Sequence, residues 1–254
     1  MKNLHPFMTA IVIVSFYSQA HAERLPVDTN ARLSIGLNVS KHSANAYKAN
    51  STFVIAPHGF YDNHRWYIEG GEAGFYPYKD KHHHARIGMS YDGTMFEPKQ
   101  AEPALQNLTK RQASVMAIAS YMYVSPIGGF RAKIAKDALS RHEGMTITLS
   151  HISRFNKDKM TVYPSFGMVW QDKKYNAYYY GISNDESQRT GVVAYDPNDG
   201  VIPFASVLVN YDLNDKTTLF ASQRIEWLPK AIKDSPMVDD EIVGITRLGI
   251  NRKF

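Results

Sequence analysis

Met160-Thr161-Val162-Tyr163-Pro164-Ser165-Phe166-Gly167-Met168-Val169-Trp170 puts Val162, Pro164, Phe166, Met168 and Trp170 on one face of an extended chain. Thr161, Tyr163, Ser165 and Gly167 fall on the other face. Successive side chains of a strand point to opposite sides, so this period of two predicts a β-strand, and its length suits a tilted membrane strand. One face is continuously apolar. The other is small and polar, which suits a wet barrel lumen better than the core of a sandwich.

The same pattern recurs outward from this segment. Ile242, Leu248, Ile250 and Phe254 share a face, opposite Arg247, Asn251 and Lys253, and Phe130-Arg131-Ala132-Lys133-Ile134 alternates apolar with basic. Strands are expected over 32–41, 52–61, 65–78, 84–97, 114–125, 128–139, 144–156, 160–172, 175–183, 201–214, 217–229 and 241–254. The fold class is therefore all-β: a transmembrane, antiparallel, up-and-down β-barrel of about 12 strands, within a range of about 10 to 14. Closure has a physical cause, because an open strand edge in lipid leaves amides without partners. Asp62-Asn63-His64, Asp172-Lys173-Lys174 and Asn214-Asp215 read as tight turns on the periplasmic side. The links 184–200 and 230–240 then face outward, and residues 98–113 form a long loop facing the periplasm. Trp66, Tyr67, Tyr76, Tyr78, Trp170, Tyr178, Tyr179, Tyr180 and Trp227 sort into interfacial belts.

Composition narrows the chemistry. The 254 residues include no Cys, which excludes disulfides, thiol catalysis and Cys-ligated metals. With 16 Tyr, 12 Phe and 3 Trp the chain is too aromatic to be disordered. A formal charge of +5 spread along the sequence gives no nucleic-acid footprint. Residues 1–22 read as a secretory signal: Lys2, an apolar core from Phe7 to Tyr17, and Ala20-His21-Ala22 before the cut. Residues 23–254 then form a single barrel domain in a Gram-negative outer membrane, in contact with its lipid and lipopolysaccharide.

The segment Asn176-Ala177-Tyr178-Tyr179-Tyr180-Gly181-Ile182-Ser183, followed by Glu186, Arg189, Gly191, Tyr195, Pro197 and Gly200, is the most distinctive in the chain. It resembles the signature block of the MltA-interacting protein (MipA/OmpV) family of outer-membrane proteins. Asp137-Ala138-Leu139-Ser140-Arg141-His142-Glu143-Gly144, Asp234-Ser235-Pro236 and the terminal Phe254 agree with that family in order. By its residues alone, the block places Tyr178, Tyr180 and Ile182 on one strand face, with Glu186 and Arg189 able to pair in the loop that follows. The resemblance implies a non-enzymatic scaffold for peptidoglycan remodelling, binding a murein lytic transglycosylase and a bifunctional penicillin-binding protein, with no cofactor. Such partners dock from the periplasm, so the 98–113 loop is the candidate surface, with Lys99, Lys110 and Arg111 as its basic groups and Leu105 and Leu108 as apolar anchors. A diffusion pore or an adhesin is the alternative, with Arg131, Lys133, Arg247 and Lys253 as luminal cations.

Two signals point toward other chemistry. His151-Ile152-Ser153 places a His and a Ser on one strand face, toward the outer leaflet, as in outer-membrane lipid hydrolases, but no third residue is positioned to orient the His. His82-His83-His84 would alternate faces along a strand and reads as a polar turn rather than a metal site.

Overall fold

Outward apolar and inward small or polar side chains alternate along the long strands of the structure, a computed structural model that describes residues 23–44, 46–50 and 53–254. The expected leader, residues 1–22, lies outside the described residues. The strands are β1 (Ser34–Ala44), β2 (Phe53–Asp62), β3 (Trp66–Gly70), β4 (Glu72–Lys79), β5 (His83–Asp92), β6 (Ser114–Ser125) and β7 (Gly128–Asp137). They continue with β8 (Met145–Ile152), β9 (Phe155–Lys157), β10 (Met160–Gln171), β11 (Gly200–Asn214), β12 (Thr217–Trp227) and β13 (Ile242–Lys253). All pair antiparallel in one sheet. β8 and β9 are two parts of one strand, both lying against β10. β13 returns to pair with β1, so the sheet closes as a barrel of 12 strands.

The registers fix which face is which. Leu37 pairs with Ile250 and Pro57, Met168 with Leu149 and Pro203, and Leu248 with Val39 and Ala221, all on the outer face. Asn38, Ser165, Ser206, Arg131 and Arg247 belong to the inward rows. Leu37, Phe166 and Leu248 are each more than half exposed, which in a closed barrel means facing lipid. Followed once around the barrel, the registers displace a strand by about 16 residues, equivalent to a tilt of about 45°. Trp66 lies on the outer face near one rim, with Trp170 and Trp227 near the other, whereas Tyr67 and Tyr76 are buried in the lumen. The outward, near-rim placement expected of the belts is found for the tryptophans and not for those two tyrosines, nor for Tyr179 and Tyr180, which are buried at the capped end.

Two expected strands are different structures. Residues 65–78 fold back at Gly70-Gly71 into β3 and β4. Gly70 sits at φ +62°, in the left-handed region that glycine enters without steric cost. Residues 175–183, expected as a strand, begin with the body of a helix, α1 (Lys173–Tyr180). Asp172 is not a tight-turn residue but its N-cap, accepting the backbone N–H of Tyr175 at 2.8 Å. The two departures cancel in the strand count but not in the topology. An extra hairpin reverses the side of every later link, and the helix in place of a strand reverses it back.

The two ends of the barrel consequently differ. The connections 63–65, 80–82, 126–127, 158–159 and 215–216 are short and share one end. The connections 93–113, 138–144, 172–199 and 228–241 share the other and carry the remaining folded structure.

Candidate functional site

The long connections do not stand as separate loops. They fold into a cap with its own apolar core. α1 is followed by α2 (Asn184–Thr190), whose start is a capping box: Ser183 Oγ accepts the Glu186 N–H while the Glu186 carboxylate accepts the Ser183 N–H. Gly191 ends α2 at φ +76°. A third short helix, α3 (Lys230–Lys233), follows β12. Tyr175, Tyr179 and Tyr180 pack with Ile202, Leu228, Ile232, Val238 and Val243, tying α1 and α3 to the tops of β11 and β13. Phe96, Ala101, Leu105, Leu108, Ile182 and Met237 form a second cluster joining three connections. Burial pushes the phenols of Tyr175 and Tyr47 far above their ordinary range, so both stay protonated.

One buried ion pair locks this cap. Arg111 Nη2 donates to Glu186 Oε2 at 2.8 Å and to the carbonyl of Gly181 at 3.0 Å, and Arg111 Nη1 donates to the carbonyl of Thr109. The Thr109 N–H returns to Glu186 Oε1 at 2.9 Å. Burial alone would raise the Glu186 carboxyl, but the Arg111 guanidinium and the backbone N–H groups hold it down at about 2. The expected pairing of Glu186 with Arg189 does not form. Arg189 instead donates to the carbonyl of Asn107 and to Thr109 Oγ1. Both α2 residues therefore clamp the 98–113 segment.

The rest of the distinctive block serves the same cap. Asn176 is fully buried and donates to the carbonyl of Asn198. Tyr178 OH accepts the Gln112 N–H, and Tyr179 OH donates to the Gln112 carbonyl. Tyr180 offers its carbonyl to Ser235 Oγ at 2.7 Å. Tyr195 bridges Ile182 through two backbone hydrogen bonds, and its hydroxyl donates to the carbonyl of Ala231. Pro197 is fully buried, and a Cβ at Gly200 would meet the Pro229 ring at 2.8 Å. Tyr178, Tyr180 and Ile182 do not share a strand face, because the chain there is helical.

The expected partner loop is also placed differently. Residues 98–113 lie at the same end as 184–200 and 230–240, because the β3–β4 hairpin adds one crossing before them. Leu105, Leu108 and Arg111 are buried, so none of them is a surface anchor. Lys99 and Lys110 remain exposed, with Lys110 paired to Glu97 at 2.6 Å. His151 and Ser153 do meet, at 2.9 Å, on the outer wall near the short-turn end rather than the expected one. His151 lies between Phe130 and Phe166, its Nδ1 has no partner, and Ser153 Oγ donates to the Ile127 carbonyl. Nothing there orients a general base. His82 and His83 turn to Val124 O and Tyr121 OH, while His84 faces inward. Among the described residues no cluster of His, Asp or Glu is arranged to hold a metal ion.

Inside the barrel, charges are paired across the wall. Glu72 meets Arg131 at 2.8 Å and Lys133 at 3.5 Å, Arg86 meets Glu69 at 2.5 Å, and Lys79 meets Asp62 at 2.6 Å. Of the luminal cations expected to select anions, Arg131 and Lys133 share the one Glu72 carboxylate. At the short-turn end, residues 24–28 form a clip: the Leu25 N–H donates to Lys79 O, the Asp28 N–H to Asn63 O, and Arg24 to Tyr76 O. Beside the clip, Asp28, Arg32, Asp62, Glu69, Arg86 and Lys253 help to line a cleft of about 580 Å³. Sequence reasoning missed this surface; the polar pattern Asp28-Thr29-Asn30 was its one local signal.

The family model described as MltA-interacting protein MipA matches residues 33–254. The MltA-interacting protein of Escherichia coli (strain K12) is 28% identical over 256 residues, spanning 100% of both chains. The outer membrane protein YiaT of the same organism is 27% identical over 212 residues, 83% of this chain and 86% of that one. Among solved structures, the COG4313 outer membrane channel from Pseudomonas putida F1 is similar at a TM-score of 0.48 and 10% identity, covering 93% of this chain and 99% of that one. The barrel is an outer-membrane protein.

Proposed function

Since this chain belongs to the MltA-interacting protein MipA family, we propose that it is an interaction protein that holds a murein lytic transglycosylase against the inner surface of the outer membrane. A bifunctional penicillin-binding protein is the second partner in this reading, so that murein cleavage and synthesis are held together. The observation that supports it most is the contrast between the two barrel ends. In bacterial barrels short turns face the periplasm and long connections face outward. A murein-cleaving enzyme works on the wall, which lies on the periplasmic side. The docking surface is therefore the short-turn end, where the 24–28 clip is hydrogen-bonded to Asn63 and Lys79 beside the 63–65 and 80–82 turns and the adjoining cleft. The cap, with its buried Arg111–Glu186 lock, is assigned to stability at the opposite end.

The test is co-purification. The mature chain, refolded in detergent and immobilised, is challenged with a purified soluble MltA-type lytic transglycosylase. Retention by the intact barrel, and its loss when residues 24–28 are removed, is the expected result. Equal passage through the intact barrel and a blank support would reject the proposal.

A further inference from the structure

The barrel wall is not of even height. When the tilt of about 45° is taken into account, every strand except β3 and β4 ends near a common rim at the capped end. β3 has 5 residues, fewer than the roughly 9 to 11 that cross a bilayer. The hairpin tip at Gly70-Gly71 stands level with Gly59 on β2 and with Tyr91 on β5. It stops about 10 Å short of the rim, and three strand spacings make β2 and β5 about 14 Å apart there. Above the tip, β2 pairs with β1 on one side, but from Phe53 to His58 no described strand pairs with its other side. A Cβ built on Gly70 would meet no atom within 4 Å. Above the notch, residues 46–50 and 100–102 are joined by backbone hydrogen bonds, Asn50 N–H to Gln100 O and Glu102 N–H to Lys48 O. The result is a window below the joined segments 46–50 and 100–102.

The chemistry of its border is apolar. Phe53 and Ile55 on β2, and Met89 and Tyr91 on β5, face outward beside it, and Phe53 and Ile55 are about 70% exposed (69% and 71%). Val54 belongs to an inward row, opposite Ser40, yet is 51% exposed. An open strand edge in hydrocarbon is costly, and it invites pairing by another strand. Here Pro57 withholds one amide, which blunts the edge against strand addition. We propose that this window is a lateral port, through which the acyl chain of an amphiphile in the surrounding leaflet reaches the barrel lumen.

The absence of cysteine makes the test direct. Val54→Cys and Ala56→Cys carry a fluorescent bimane at inward positions beside the window. Ile55→Cys is the lipid-facing reference. Thr148→Cys is an inward position on a wall paired on both sides. Each variant is reconstituted in phosphatidylcholine vesicles, with and without bromine on the acyl chains, after a heat-dependent gel shift confirms a folded barrel. The port predicts loss of fluorescence by brominated chains at 54 and 56 comparable to that at 55, with none at 148. Lengthening the hairpin by four residues on each side of Gly70-Gly71, enough at this tilt to fill about 10 Å, should abolish the loss at 54 and 56 while leaving 55 quenched. Quenching at 54 and 56 no greater than at 148, or unchanged by the longer hairpin, overturns the proposal.

Discussion

At the residue scale, Arg111 and Glu186 carry the cap. Their side chains are 8% and 10% exposed, and each bonds the other together with backbone groups from two connections. Removing one partner of a buried pair strands the other's charge, which costs about 3 kcal/mol. Glu186→Gln should therefore loosen residues 98–113 and 184–190 while the barrel keeps its heat-dependent gel shift; limited proteolysis reads the difference. The pH dependence follows from the sign of the shift. Glu186 titrates at about 2 in the folded cap, below its ordinary value of 4.5, so its contribution is complete above 4.5 and is lost as pH falls toward 2. Protease sensitivity of the cap should rise over that window in the native chain. In Glu186→Gln the rise over the same window should be smaller, because that titrating group is gone while Glu97, Asp137 and Glu143, also held low, remain.

At the scale of elements, α1 is the most instructive. Its one strong local instruction is Asp172 as N-cap, and Asp172→Ala should destabilise the cap by about 1 kcal/mol, seen as faster amide exchange over 173–180. Tyr178, Tyr180 and Ile182, at alternate positions, conceal that instruction from a reading based on period two. Tyr175 and Tyr179 are four apart, their rings 4.8 Å from one another, and the helix face they make is buried. The Ser183-Asn184-Asp185-Glu186 capping box and the Gly70-Gly71 pair are likewise written in the sequence. Each is outweighed locally by strand-forming neighbours. Long strands such as β10 and β13 were legible because lipid on one side and water on the other impose a strict alternation. The cap was not, because its packing joins residues such as Thr109 and Glu186 that are far apart in the chain. Strand parity, and with it the side of every loop between the hairpin and α1, depended on one two-residue turn.

For the whole molecule, the closed wall and its two unlike ends organise everything else. One mouth is covered by a folded cap with buried tyrosines and an ion-pair lock; the other carries short turns, a clip and an open cleft. On the function proposed above, a partner that works on the cell wall meets the second. Hydrogen–deuterium exchange of the refolded barrel, with and without a purified MltA-type lytic transglycosylase, tests this most directly, since every connection is read in the same experiment. Docking at the short-turn end predicts added protection at 24–31, 63–65 and 80–82, with the cap segments 98–113 and 184–199 unchanged. Protection confined to the cap segments, or none anywhere at saturating transglycosylase, would contradict it.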